Sequence, residues 1–413
     1  MYFYLLLAVR VGGLFKKLKW NNKLLFLMSK NPSEEVPQVD PWGQGLLSEE
    51  DYVRLTEEFG IQLIQDLEIP YSMFEKNRFL RRKIIYGHRD FNQIVQAIQH
   101  QKPWGVMSGI KPSGHFHLGT LTTASEIVEF QKMGGFVYYA IADIESFVDN
   151  GMPYKKSFEY AVDNLADVLT LGLDPKRAYI WLQSREPRVK EMPFRAGRYV
   201  TNNMMRAIYG ERDFALYMAA LVQVGDIFMP QLRDAIQPTV VPVGIDQDPH
   251  LRLVRDLTKY FSRLEINPET RKEEKRPFFK PSATYHKLLP GLDDINKKMS
   301  KSRPNSYFNL GDDPKSIRKK IMGAYTGGRK NKEEQEKLGG IPEKCMVYKL
   351  LEIHFQKDDA KLQDRYQRCR GGMLCGKCKK EAVEIILGHI KDHNARKQEF
   401  LPLSREILSQ DPN

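Results

Sequence analysis

Hydrophobic runs divide the middle of the chain into alternating predicted strands and helices. β-branched and aromatic residues cluster in four short segments that we predict to be buried strands, residues 104–107, 136–141, 178–182 and 240–245. Between them, apolar residues recur at helical spacing, as in residues 154–171. This alternation predicts the α/β class, a doubly wound parallel sheet with a helical insertion at about residues 150–235.

The flanking segments follow other patterns and indicate further units. Residues 1–38 form a leader that we expect to be poorly ordered, and its apolar run is shorter than the roughly 20 residues of a spanning helix. It also lacks the charge order of a secretory signal, so we expect a cytoplasmic protein with no membrane partner. The other predicted units are an N-terminal extension at 39–103, the sheet domain at 104–310 and a helical C-terminal domain at 311–413.

Two segments of the extension have patterns of their own. Large apolar residues recur every four positions in residues 51–69, which predicts a helix. Residues 79–86 combine basic, β-branched and aromatic residues, and we predict an extended basic strand there.

The composition fits an ordinary soluble protein with an excess of basic residues. The chain has 413 residues, 41% apolar and 28% charged, enough for two or three domains. Lysine and arginine number 64 against 52 acidic residues, a net charge of +12. This excess is compatible with a polyanionic partner such as RNA and equally with a generally basic surface.

The first predicted strand leads through a turn into a helix start at His117-Leu118-Gly119-Thr120. Free backbone N–H groups and the positive end of the helix dipole suit a phosphate there, with His117 and Thr120 on one face. Gly119 leaves room for a flat group such as a purine ring. An ordinary strand–helix connection with a capping threonine is the alternative.

A second stretch, Lys298-Met299-Ser300-Lys301-Ser302, sets two lysines among small hydroxyl residues. Pro304 and Asn305 follow, which favours a mobile cationic loop over a helix or strand. Cations in such a loop can neutralise a departing polyphosphate, whereas a plain solvated surface is the alternative reading.

Polar residues near the ends of predicted strands are candidates for binding a substrate. Asp143 and Glu145 follow the second strand, at the edge where open α/β sheets hold ligands, although solvated loop acids are also expected there. Gln223 stands in an otherwise apolar helix, so its amide needs a partner from protein or ligand. The string Asp246-Gln247-Asp248-Pro249 follows the last strand.

All four cysteines lie in the C-terminal part, at Cys345, Cys369, Cys375 and Cys378. A reducing compartment disfavours disulfides, and a C-x2-C pair can put two sulfurs on one metal centre. Four thiolates form the shell that zinc and iron–sulfur centres use. We therefore predict a four-cysteine metal site, with ordinary free thiols as the alternative.

Together these motifs resemble those of a known family. The helix start ending at Thr120 and the loop at 298–302 resemble the His-x-Gly-His and Lys-Met-Ser-Lys-Ser signatures of class I aminoacyl-tRNA synthetases, with Thr120 in place of the second histidine. The Asp-Gln-Asp-Pro string resembles that of tryptophanyl-tRNA synthetases. Asp40-Pro41-Trp42-Gly43, with the basic segment at 79–82, resembles the extension of their archaeal and eukaryotic members. The cysteines resemble a set that holds an iron–sulfur cluster in the anticodon-binding region of some members.

The resemblance implies a Rossmann-type class I core that attaches tryptophan to tRNA(Trp) through an adenylate, using ATP with Mg²⁺, and a homodimer. It implies catalytic roles for His117, Thr120, Lys298, Lys301 and Ser302. It implies contacts with ATP from Gly109, Gly119, Gly244, Asp246 and Met299. It implies contacts with tryptophan from Met107, Glu145, Gln223 and Gln247.

One departure from the family keeps the specificity open. Met107 stands where we align the tyrosine that contacts the indole, and a thioether is a poor hydrogen-bond partner for an indole N–H. A tyrosine-specific synthetase would share the fold and both class motifs, but the Asp-Gln-Asp-Pro string argues against it.

Two further alternatives come from other functional classes. A synthetase-like RNA-binding protein without catalysis would have no need of the intact lysine loop. An electron-transfer protein built around the cysteines would leave most of the chain unexplained.

Overall fold

The computed structural model describes residues 60–266, 270–299 and 303–410, without the side chain of Lys298. The predictions for the leader, for residues 51–59 and for the Asp-Pro-Trp-Gly motif lie outside the described residues, as do those for Lys301 and Ser302.

The described residues form eleven strands. They are β1 (Gln62–Leu63), β2 (Ile85–Arg89), β3 (Gly105–Ile110), β4 (Phe136–Ile141), β5 (Ala178–Leu182), β6 (Thr239–Gly244), β7 (Ser262–Ile266), β8 (Glu273–Pro277), β9 (Ser282–His286), β10 (Pro290–Gly291) and β11 (Asp294–Lys298).

Seven of these strands form one sheet, in the order β1-β2-β9-β6-β3-β4-β5. The five from β9 to β5 run parallel, whereas β2 is antiparallel to β9 and β1 to β2. The pairs β7–β8 and β10–β11 are separate antiparallel hairpins. The parallel core confirms the predicted doubly wound α/β sheet, and β3 and β6 lie side by side where the winding reverses.

Helices cover both faces of this sheet, and others form the C-terminal segment. They are α1 (Tyr71–Lys76), α2 (Arg78–Arg81), α3 (Asn92–Gln99), α4 (Leu118–Lys132), α5 (Asp143–Asn150), α6 (Tyr154–Thr170), α7 (Pro187–Lys190), α8 (Met192–Gly197), α9 (Asn202–Tyr209), α10 (Phe214–Arg233), α11 (Asp248–Leu257), α12 (Pro314–Gly323), α13 (Lys332–Leu338), α14 (Met346–Leu350), α15 (Asp359–Arg370) and α16 (Cys375–Ser409). Short 3₁₀ turns occur at Ile64–Asp66, Pro175–Arg177, Ile245–Gln247, Thr258–Tyr260 and Pro342–Lys344, and a π-helical turn at Leu351–Phe355.

The side chains of β4 show why the sheet needs helices on both faces. Val137 and Tyr139 belong to one buried hydrophobic cluster, and Tyr138 and Ala140 to a second. Because successive strand residues point to opposite faces, an uninterrupted apolar strand buries both faces of the sheet.

Helix α10 is the most apolar long helix of the described chain. It is long and apolar enough to cross a membrane by length and composition, yet 72% of its apolar window is buried inside the protein. Its polar residues Gln223 and Asp226 are three positions apart and therefore share one face. Both point into the site described below.

The last helix, α16, packs along α6. The buried carboxylate of Asp167 lies 2.8 Å from His393 Nε2 and 2.8 Å from Lys397 Nζ. These contacts tie the C-terminal segment to the sheet region. The predicted helical character of this segment is confirmed.

Two predictions for the extension are wrong. From residue 60 onward the predicted helix is replaced by β1 and a 3₁₀ turn. Residues 79–86 are not one strand: they begin in helix α2, capped by Asn77, whose side chain accepts from Phe79 N at 2.9 Å and Leu80 N at 3.2 Å. The chain becomes extended only at β2, where pairing with β9 fixes it.

Candidate active site

The carboxyl ends of β3 and β6 border a cavity at the point where the winding of the sheet reverses. Open α/β sheets bind ligands at this point, because the two adjacent strands send their connections to opposite faces. The cavity has a volume of 340 Å³. Six of the predicted site residues line it: Met107, Gly109, Glu145, Gln223, Gly244 and Gln247.

A second cavity, also of 340 Å³, opens at the start of α4. It is lined by His117, Thr120 and Met299, and it shares Ile110 and Lys111 with the first cavity. The start of α4 and Met299 of the lysine stretch therefore line one space.

His117 caps helix α4. Its Nδ1 accepts from Gly119 N at 3.1 Å and from Thr120 N at 3.4 Å, and Thr120 Oγ1 lies 3.3 Å from its Nε2. A Cβ added to Gly119 would lie 3.1 Å from the imidazole ring. The imidazole ring of His117 therefore covers the face of Gly119 on which we predicted that a purine ring could lie.

Glycines at the strand ends have packing reasons visible in the structure. A Cβ at Gly109 would lie 2.5 Å from the carbonyl oxygen of Ala140 on β4. A Cβ at Gly244 would lie 2.5 Å from Asp246 Oδ1. Gly109 therefore requires glycine for close approach to backbone, whereas at Gly244 the side chain of Asp246 would have to turn away. Gly109 lies inside β3 rather than in the turn after it.

The lysine stretch is described only at its beginning. Lys298 is the last residue of β11, so the backbone is extended there and the predicted loop begins later. Met299 packs against the cavity at the helix mouth. The positions of Lys301 and Ser302 lie outside the described residues.

Glu145 contacts both the side-chain amide of Gln223 and the amine of Lys111 in the first cavity. Its carboxylate accepts a hydrogen bond from Gln223 Nε2 and lies 3.7 Å from Lys111 Nζ. Lys111 also pairs with Asp149. These contacts hold Glu145 at the cavity wall with its charge partly compensated.

The structure adds Asp226 and Gln183 to the cavity wall. Asp226 is 3% exposed and accepts from Trp181 Nε1 at 3.0 Å and Gln183 Nε2 at 2.5 Å. Burial raises its pKa to about 7, opposed by these hydrogen bonds and assisted by Glu145 and Asp143. No role for Asp226 was predicted, because its partners lie on β5 and directly after it.

Two residues of the Asp-Gln-Asp-Pro string have different surroundings: Asp248 is buried in an ion pair, and Gln247 lines the cavity. Asp248 is 1% exposed, lies 2.9 Å from Arg89 Nε and accepts from the Tyr285 hydroxyl at 2.5 Å. Gln247 Nε2 donates to Asp246 Oδ2 at 3.3 Å. The buried ion pair of Asp248 therefore fixes the turn that presents Gln247 to the cavity.

His250 also lines the cavity and was not singled out by sequence analysis. Its Nδ1 lies 2.9 Å from the Tyr209 hydroxyl. Burial lowers its pKa to about 3, so this histidine is neutral near pH 7.

The four cysteines do not form a recognisable metal site. Burial and the other three thiols raise the pKa of Cys369 to about 11, so the four lie within electrostatic reach of one another. Arg365 Nη1 lies 3.2 Å from Cys378 Sγ. Across residues 60–266, 270–299 and 303–410, no group of three or more His, Cys, Asp or Glu side chains is arranged to hold a metal ion. The predicted metal site thus gains no support from this geometry.

Comparison with known proteins gives consistent results. The family model described as tRNA synthetases class I (W and Y) matches residues 99–389. The tryptophan–tRNA ligase of Methanocaldococcus jannaschii is 39% identical over 380 residues, covering 90% of this chain and 98% of that protein. That of Archaeoglobus fulgidus is 36% identical over 429 residues, covering 90% and 99%. The crystal structure of tryptophanyl-tRNA synthetase from Aeropyrum pernix has a TM-score of 0.77 at 36% identity, covering 91% of this chain and 100% of that one.

Proposed function

The chain belongs to the class I tRNA synthetases of the tryptophan and tyrosine group, and on that premise we propose that it attaches tryptophan to tRNA(Trp) through a tryptophanyl adenylate formed from ATP. The pair of adjoining cavities carries this proposal. One has amide and carboxylate side chains suited to an amino acid, and the other has a helix start suited to phosphates. Their shared boundary at Lys111 is where the two substrates would meet.

ATP with Mg²⁺ is the nucleotide substrate that class I synthetases use. Mg²⁺ prefers oxygen ligands and is usually held by one or two carboxylates together with substrate phosphates. The part of the chain that the structure describes offers no ready-made group of three side-chain ligands. We propose that the ion arrives with the nucleotide and is held mainly by its phosphate oxygens.

The proposed nucleotide site is the second cavity, at the N-terminal end of α4. His117 and Thr120 donate to the phosphates, assisted by the backbone N–H groups and the positive end of the helix dipole. Met299 lines the same cavity, and Gly109 and Gly244 are proposed to contact ATP from the adjoining first cavity, with Asp246 next to Gly244. For a purine to lie against Gly119, the imidazole of His117 must turn away from its present capping position.

Adenylate formation requires positioning and charge stabilisation from the protein. A carboxylate oxygen of tryptophan attacks the α-phosphorus in line, and the bond from that phosphorus to the pyrophosphate oxygen breaks. No protein nucleophile is needed. We propose that Lys298 and Lys301 neutralise the charge of the departing pyrophosphate, with Ser302 beside them.

Tryptophan is proposed to bind in the first cavity with its amine near Glu145. Glu145 supplies a carboxylate already oriented by Gln223. An ammonium group there would gain a charge-assisted hydrogen bond and compete with Lys111, which lies at the long distance of 3.7 Å. Gln223 and Gln247 supply further amide contacts from opposite walls.

The indole N–H needs an acceptor that Met107 does not provide, although this buried thioether can pack against the ring. We propose Asp226 as that acceptor. It lines the same cavity and already accepts an indole N–H, that of Trp181 at 3.0 Å. A carboxylate has about four acceptor sites, so two existing hydrogen bonds leave room for the substrate.

We further propose that the activated tryptophan passes to the terminal ribose of tRNA(Trp), whose anticodon binds the helical C-terminal domain at 311–413. The basic excess of the chain supports an RNA partner. A homodimer in the cytoplasm completes the proposal.

The four cysteines are proposed to bind a metal, as zinc or an iron–sulfur cluster, only after their side chains rearrange. Mutual repulsion among nearby thiolates favours a cation between them. Metal analysis and visible absorbance of anaerobically purified protein test this. About one metal centre per chain is expected, and its absence would contradict the proposal.

Aminoacylation of purified tRNAs tests the proposed function as a whole. The protein is incubated with ATP, Mg²⁺ and either tryptophan and tRNA(Trp) or tyrosine and tRNA(Tyr). Only the first pair should yield charged tRNA. Charging of tRNA(Tyr) with tyrosine, or of neither tRNA, would contradict the proposal.

A further inference from the structure

A cationic cavity lies behind helix α4, separate from the two cavities of the proposed active site. Its volume is 270 Å³, and it is enclosed by α1 and α2, the rear face of α4, the π-helical turn and α16. Five lysine or arginine side chains line it against two carboxylates, those of Glu75 and Glu129. Such an excess of cations in a partly enclosed space favours an anion.

Arg78 is the deepest of these cations. Its side chain is 11% exposed, and its Nε lies 3.9 Å from the carboxylate of Glu129, too far for a hydrogen bond. This buried Nε has no hydrogen-bond partner among the described residues. Burial lowers the pKa of Arg78, so its charged form lacks full compensation. A buried charge normally has hydrogen-bonding partners, and this one needs an acceptor that the described chain does not supply.

Lys357 and Arg396 reach the same cavity from the C-terminal side. Both residues are exposed, and neither side chain has an ion pair within the part of the chain that the structure describes. Partial burial against the cavity lowers the pKa of Lys357 even though much of its side chain is exposed, and the charges of Arg78, Lys132 and Arg396 lower it further. These cations therefore repel one another across the cavity, and an anion between them would remove that repulsion.

We propose that this cavity binds a free inorganic phosphate anion, orthophosphate or pyrophosphate, between Arg78 at its base and Lys357 and Arg396 at its rim. Guanidinium groups match the oxygens of a phosphate with paired N–H donors, and a lysine adds a point charge. A polynucleotide backbone is disfavoured because Arg78 lies inside a partly enclosed cavity. Since the walls come from the extension, the sheet region and the C-terminal segment, the bound anion would also stabilise their packing.

Isothermal titration of the full-length protein with sodium orthophosphate, and separately with sodium pyrophosphate, tests the proposal and distinguishes the two anions. Ionic strength is held constant with sodium chloride, and a non-hydrolysable ATP analogue with tryptophan occupies the active site throughout. Saturable binding to one site per chain is expected. Arg78→Met should weaken it at least about tenfold, and Lys357→Gln or Arg396→Gln each by about three- to tenfold.

The matched control is Lys391→Gln, because Lys391 is an exposed cation on the same helix as Arg396 but does not line the cavity. It should bind phosphate as the parent protein does. The rim variants change exposed side chains, so they keep the test decisive even if Arg78→Met fails to fold.

Three results would overturn the proposal. These are no saturable phosphate binding by the parent protein, equal weakening by Lys391→Gln, and full retention of binding by both rim variants. If neither anion binds and Arg396→Gln weakens tRNA binding, the cavity is assigned to RNA instead.

Discussion

Replacing Asp226 with asparagine should weaken recognition of the tryptophan indole without removing the amino-acid cavity. The asparagine keeps the size of the side chain, but it replaces a charged acceptor by one carbonyl oxygen and an NH₂ donor. That donor would face Trp181 Nε1 or Gln183 Nε2, which now donate at 3.0 Å and 2.5 Å.

The expected size of the effect comes from the hydrogen bond to a charged acceptor. Such a bond contributes about 1.5 to 3 kcal/mol, so at a pH well above 7, where Asp226 is ionised, kcat/KM for tryptophan in ATP–pyrophosphate exchange should fall roughly 10- to 150-fold. An analogue in which sulfur replaces the indole N–H should lose much less, because it makes no such bond in the parent enzyme. The ratio of the two substrates is therefore the diagnostic quantity.

Asp226 also gives this variant a pH signature. Its pKa is raised by burial to about 7, roughly 3 units above the unfolded value, which corresponds to about 4 kcal/mol at most. Since the folded state binds the extra proton, Asp226 lowers the free energy of unfolding as pH rises from about 4 to about 7. The free energy of unfolding of Asp226→Asn, measured with denaturant, should therefore rise relative to that of the parent protein as pH increases across this window.

The exposed Asp256 provides the matched control, as Asp256→Asn removes a carboxylate outside the cavity. It should change neither the substrate ratio nor the pH dependence of stability. The reasoning about Asp226 is refuted if Asp226→Asn leaves the discrimination between tryptophan and its sulfur analogue unchanged.

Three further substitutions test other parts of the proposal. Glu145→Gln should raise KM for tryptophan and lower kcat/KM by roughly 10- to 150-fold in pyrophosphate exchange, because the amine loses its charged acceptor; an unchanged KM would remove Glu145 from the amine site. Lys301→Ala should raise the activation barrier by about 2 to 4 kcal/mol, a roughly 30- to 1,000-fold loss of exchange rate with little change in tryptophan binding, and a normal rate would exclude its proposed role. Glu126→Ala should reduce the free energy of unfolding by about 3 to 5 kcal/mol, since this fully buried carboxylate bonds His286 Nδ1 and Thr284 Oγ1, each at 2.9 Å; denaturant unfolding measures this, and a loss below about 1 kcal/mol would contradict it.

The part of the parallel core from β6 to β5 was predictable, because its four strands are largely apolar. The far side of the sheet was not, and β9 shows why. Its residues Ser282–His286 are all buried, yet three of the five are polar. They are satisfied by partners distant in sequence, as when Thr284 and His286 bond Glu126. Hydrophobic periodicity does not detect a strand of this kind.

Parts of the site could also be predicted from local motifs. The positions of His117 at the start of a helix and of Glu145 after a strand follow from local patterns and from the rule for ligand sites in α/β sheets, whereas the capping of α4 by His117 was not predicted. Asp226 could not be assigned a role, because its environment is made by Trp181 and Gln183 on a different element. The metal prediction for the cysteines used their spacing, the expected reducing compartment and a family resemblance, and none of these fixes how the side chains converge.

The most direct test of the proposed activity is ATP–pyrophosphate exchange measured with each of the twenty amino acids in turn. We predict exchange that depends on tryptophan and is absent with tyrosine. Exchange supported by tyrosine instead, or no exchange with any amino acid, would contradict the account.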